Sequence, residues 1–119
     1  MSTLLTKEAI LQSKDYQDEV INVPEWGGSV RLKTMSGVER DMFETEAMKR
    51  KKGDKIELKG LKSFLLMLTL VNDKGERLFA EADIDELNKK SGAVIDTLFV
   101  KCQDLNKLTQ GSLEDSVKN

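Results

Sequence analysis

The densest set of chemically capable side chains in this sequence is acidic: Glu81, Asp83, Asp85 and Glu86 crowd one short stretch. Asp-x-Asp is how a helix-loop-helix calcium site opens, with carboxylates as hard oxygen ligands. The continuation does not fit, because Asn88 stands where the sharp turn needs glycine and no glutamate closes the loop. A helix-capping role is the better reading. Asp83 would be the cap, Asp85 and Glu86 would lie near the positive amide end, and Leu87 would anchor the short helix. Histidine is absent altogether, which removes the commonest general base and the commonest transition-metal ligand. The single cysteine, Cys102, falls on the apolar stripe of a helix, where a buried thiol is inert. Gly27-Gly28 leads into Ser29 and a strand rather than a helix, so the pair serves a turn and not a phosphate loop. Together these features argue against an enzyme and call for no metal or cofactor.

Two features suit contact with other proteins instead. Trp26, the only tryptophan, lies between Pro24 and the glycine pair at the tip of an expected hairpin. Tryptophan is over-represented among binding hot spots, but it can equally fold back over its own core. Arg31 and Arg40 are expected as polar partners near it. The basic run from Lys49 to Lys55 has no aromatic residues among its charges, so a solvated or protein-contacting loop is favoured over a phosphate-binding one.

The elements that must position these residues follow from periodicity. Thr6 can cap a short N-terminal helix or arm, with Leu5, Ala9 and Ile10 as its apolar edge. Glu19 to Val23 and Ser29 to Lys33 alternate as two strands of a hairpin, with Pro24 at a strand end. On the second strand Val30 and Leu32 should face inward, and Arg31 and Lys33 outward. Ser36-Gly37-Val38-Glu39 is a capping box, starting a helix that presents Val38, Met42, Phe43 and Ala47 to the core. A second helix from near Lys59 carries Phe64 to Val71, which is apolar on all faces. Such a helix belongs at the centre of the domain or against a partner, including an oligomer interface. Asn72 to Gly75 should turn the chain, Arg77 to Phe79 should return extended, and Ser91 can cap a last helix whose stripe is Val94, Ile95, Leu98, Cys102 and Leu105. The expected fold is α+β, mainly helical with an N-terminal β-hairpin. Residues 1–16 would form an arm, 17–109 one domain, and 110–119 a disordered tail.

Composition sets the compartment. The 119 residues fit one domain, and 19 Lys plus Arg against 21 Asp plus Glu give a net charge of -2, leaving no field to hold nucleic acid or an anionic membrane. The apolar run from Ser63 to Val71 is far short of the ~20 residues that cross a bilayer. With one cysteine and no apolar signal core, a reducing cytoplasm is expected.

Val23-Pro24-Glu25-Trp26-Gly27-Gly28, followed by Val30-Arg31-Leu32 and then Met35-Ser36-Gly37-Val38-Glu39-Arg40-Asp41 and Phe43, resembles the N-terminal half of the tail assembly chaperone family of long-tailed bacteriophages and prophages. Leu68 to Phe79, an acidic short helix and a final helix with Leu98-Phe99 ending in Leu105-Asn106-Lys107-Leu108 are similar to its later part. The likeness spans about residues 18–109. It implies a chaperone that coats the tape measure protein, helps recruit tail tube subunits, self-associates into ring- or spiral-like oligomers in the host cytoplasm, and is absent from the finished virion. It also implies, for many members, a longer product made by a minus-one translational frameshift, for which Val117-Lys118-Asn119 could be encoded by an A-rich slippery heptamer. The competing reading is a structural tail component, such as a tube-completion or head-to-tail joining protein retained in the particle.

Overall fold

The computed structural model describes residues 3–56 and 60–108. The expected tail at 110–119, the frameshift reading at Val117 to Asn119 and the helix start near Lys59 all lie outside those residues.

The N-terminal helix α1 (Lys7–Gln12) is capped as expected, with the Thr6 hydroxyl accepting from the Ala9 amide at 3.1 Å. The strands β1 (Asp18–Val23) and β2 (Gly28–Lys33) then pair antiparallel from Asp18 opposite Lys33 to Val23 opposite Gly28. Their connection is a single 3-10 turn, Pro24–Trp26. Pro24 presets its backbone angle, and Gly27, at φ 76°, takes the left-handed conformation that lets its amide donate to the Pro24 carbonyl. Gly28 is an ordinary strand residue, so only one of the paired glycines uses its freedom.

Helix α2 (Gly37–Lys49) starts at the expected capping box: the Ser36 hydroxyl accepts from the Glu39 amide, and Glu39 accepts from the Ser36 amide. Its buried stripe is Glu39, Phe43 and Ala47, at helical spacing of four. Val38, expected in the core, is exposed, and Met42 is half-buried, because the helix turns its Glu39, Phe43 and Ala47 face inward, onto the next helix in the chain. The basic run after α2 is exposed as expected but is ordered into a minimal ladder, β3 (Lys51–Lys52) against β4 (Lys55–Ile56), turning at Gly53.

Helix α3 (Leu61–Thr69) is the centre of the molecule. Every residue but Lys62 is buried, and Lys62 reaches Asp96 at 2.6 Å. The all-round apolar sequence is therefore satisfied within one chain, without a second copy. The helix also ends earlier than periodicity implies. Leu70 and Val71 form β5 (Leu70–Val71), which pairs with Leu32 and Arg31 and makes the sheet order β1-β2-β5. Ladder hydrogen bonds and burial in the sheet outweigh the helical preference of two residues. Asn72 to Gly75 turn as expected, with the Asn72 side chain accepting from the Lys74 and Glu76 amides, and Arg77 bridges back to Val71.

A 3-10 turn, Glu81–Asp83, leads into α4 (Ile84–Leu87), anchored by buried Leu87. The Asp83 carboxylate accepts from the Ala80 amide at 2.8 Å, so it closes this preceding turn instead of capping α4. The last helix, α5 (Gly92–Leu105), buries Val94, Ile95, Leu98, Phe99 and Cys102 against α3. Ser91 stands at its N-cap position, but its carbonyl, not its hydroxyl, is the acceptor, taking the Ile95 amide at 3.0 Å. The architecture is α+β, mainly helical around a small antiparallel sheet.

Candidate protein-docking surfaces

The hairpin tip is built by Pro24 and Gly27, and it delivers Trp26 half-buried against the core edge. There Trp26 joins Phe79 and Leu87 in an open cavity of about 330 Å³, rimmed by Glu86, Lys89 and Lys90. Phe79 is brought in by the Arg77 bridge to Val71, and Leu87 by α4. Both readings of Trp26 thus hold in part. One side of the indole covers the core, and the rest lines a cleft with apolar walls and a charged rim, the usual composition of a side-chain-accepting site. Phe79, Lys89 and Lys90 were not singled out from the sequence. Their one signal is the aromatic residue that ends the short return, because the cleft exists only once α4 folds beside the hairpin tip.

Arg31 and Arg40 do not gather around Trp26. Arg31, in mid-β2, reaches toward the open end of the hairpin and pairs with Asp18 at 3.0 Å. Arg40, beyond that end, donates to the Asn106 carbonyl at the C-terminus of α5, at 3.2 Å. Its role in this arrangement is to satisfy a helix-end acceptor. The expected cluster is therefore divided between the two ends of the hairpin.

A polar joint fixes that open end. Asn106, buried, accepts from the Met35 amide at 2.7 Å and donates to the Cys102 carbonyl at 3.0 Å and the Lys33 carbonyl at 3.4 Å. Beside it Glu39, 5% exposed, accepts from Lys33 at 2.6 Å, the Ser36 amide at 2.9 Å and Arg77 at 2.7 Å. Lys33, expected to face water, is thus turned onto Glu39. Burial pushes the Glu39 carboxyl up, but the hydrogen bonds from Lys33, Ser36 and Arg77 and the charge of Lys33 outweigh it and lower the pKa to about 2. Burial raises the Cys102 thiol to about 11, against opposing hydrogen bonds with Thr69 and Asn106, so it is no nucleophile near neutral pH. Among the described residues no group of three or more His, Cys, Asp or Glu side chains is placed to hold a metal ion, and no helix is long and apolar enough to cross a membrane.

The N-terminal arm is the second apolar surface. Helix α1 buries no residue, and Leu4, Leu5, Ile10 and Leu11 are all more than half exposed, Leu4 at 94%. Four large apolar side chains so close together form an exposed apolar patch that this copy's own fold leaves uncovered.

The whole chain except its first four residues, 5–119, matches a family model described as phage tail assembly chaperone. Among solved structures the chain is similar to the tail assembly chaperone of bacteriophage HK97, with a TM-score of 0.60 and 20% identity over 82% of this chain and 90% of that one. At that identity the likeness speaks to the fold. No curated protein matches the sequence. By the extent of the family match, the chain belongs to the phage tail assembly chaperone family.

Proposed function

We propose that this chaperone binds the tape measure protein, keeps its apolar helical surface from aggregating, and helps bring tail tube subunits to it while the tail is built. The single observation that supports this reading is the aromatic cleft of Trp26, Phe79 and Leu87 at the hairpin tip. It is an apolar socket on the surface of a chain whose own apolar helix is already buried. Binding needs no covalent step. Several weak sockets along an elongated client give durable coating once copies also hold one another, because each contact after the first is effectively intramolecular. The site of action is the host cytoplasm, and the protein leaves before the particle is complete.

Co-expression with the tape measure protein of the same gene cluster tests the reading. The client should be soluble and co-purify with this chain, and should sediment without it. A client that stays insoluble and unbound in both cases would refute the proposal. Mass spectrometry of purified virions separates it from a structural tail component, since the chaperone should be missing and a tube or joining protein present.

A further inference from the structure

We infer that the N-terminal arm of one copy docks into the hairpin-tip cleft of the next, so that Leu4, Leu5, Ile10 and Leu11 are covered by Trp26, Phe79 and Leu87 of a second copy of this chain. The inference rests on the reading that copies hold one another, and it supplies the contact. Three observations carry it. The arm has no buried side chain of its own, and none of its residues lines the cleft of the same copy. The arm joins the fold at the open end of the hairpin, where Asp18 faces Lys33, whereas the cleft sits at the closed end, around Trp26. The charges match at one point: Glu8 is exposed between the Leu4-Leu5 and Ile10-Leu11 pairs of the arm, and Lys90 is exposed on the rim of the cleft, Lys89 there being paired with Glu86 at 3.1 Å.

Apolar side chains entering an aromatic-lined socket beside a Glu-to-Lys contact is how a short amphipathic helix is held in a groove. Because arm and cleft are different surfaces, two copies either exchange arms and close as a two-fold dimer, or pass them head-to-tail until a ring closes or a filament extends. The cleft is also the proposed client site. An arm in the cleft therefore competes with the client at that socket, and coating begins by exchange of one for the other.

Full-length chains test this directly. Leu11→Cys in one chain and Lys90→Cys in a second, mass-tagged chain are mixed and oxidised. The one native thiol, Cys102, is buried and does not interfere. The mixed disulfide should form well above the level given by a Leu11→Cys and Lys55→Cys pair, Lys55 being exposed on β4. By sedimentation, Leu5→Asp with Leu11→Asp should weaken self-association by about 100-fold or more, with an unchanged circular dichroism spectrum because neither leucine is part of the core. A disulfide yield no higher than the Lys55→Cys control, or multimers that survive the double substitution, overturns the arm-in-cleft contact while self-association stands. A wild-type chain that stays monomeric overturns both.

Discussion

The Glu39 carboxylate accepts two hydrogen bonds on one oxygen from Arg77, from Nε at 3.1 Å and Nη2 at 2.7 Å, across 38 residues of sequence. Its other oxygen takes Lys33 and the Ser36 amide. One side chain thus completes a helix cap and ties β2, α2 and the return after β5 into a corner. A lone buried carboxylate would be costly, but here two cations and an amide replace the lost water.

That arrangement predicts an acid transition. The folded pKa of Glu39, about 2, lies below its ordinary value of 4.5. Its contribution to stability is therefore complete above pH 4.5 and is lost as the pH falls toward 2. Glu39→Gln should lower stability at pH 7 by about 2 to 3 kcal/mol and flatten the melting temperature between pH 4.5 and 2. Parallel pH profiles of wild type and variant would show Glu39 to be a spectator.

Asn106→Ala removes the acceptor of the Met35 amide and the donor to the Cys102 and Lys33 carbonyls. The Cys102 carbonyl keeps the Asn106 backbone amide at 3.0 Å, but the part-buried Met35 amide loses its acceptor, which should cost about 1 to 2 kcal/mol, read as a lower urea midpoint with an unchanged slope. A midpoint within error of wild type would mean that water replaces the amide.

Cys102 should resist thiol reagents at pH 8. Its pKa is raised to about 11 by burial, and the side chain is fully buried beside Thr69. Labelling should occur at the rate of unfolding and accelerate with urea. Rapid labelling of the native protein would show that α5 opens locally.

Much of this was legible in the sequence, and particular residues show where it stopped. Ser36 and Glu39, Pro24 and Gly27, and the stripe of α5 are local signals, because each partner lies within a few residues. The hairpin and the final helix follow from them. Leu70 and Val71 read as helix because their strand partners, Leu32 and Arg31, are far away in sequence. Glu39 read as a cap alone, and its burial depends on Arg77. Asn106 gave no signal, since all its bonds to Lys33 and Met35 arise from packing. The apolar run of α3 left open whether a second copy was needed, a question that only the assembled core could answer. The cleft was half legible: Trp26 stood out, while Phe79, Lys89 and Lys90 required the fold.

Arg31→Ala should be nearly silent. Its ion pair with Asp18 is substantially exposed, with side-chain accessibilities of 35% and 53%, and such pairs contribute roughly 0.5 kcal/mol. Client binding should be unchanged too, because Arg31 lies away from the cleft. A large loss of co-purified client in this variant would move the binding face to the middle of the sheet.

The most direct test of the central claim is the amount of tape measure protein held soluble by Trp26→Ala relative to wild type in co-expression. Half-buried at the edge of the core, Trp26 should cost about 1 to 2 kcal/mol on truncation, so the variant remains folded, as its circular dichroism spectrum would confirm. Most of the client should then move to the pellet and be lost from the co-purified complex. A folded Trp26→Ala chain that keeps as much client soluble and bound as wild type would contradict the hairpin-tip cleft as the place where this chaperone holds its client.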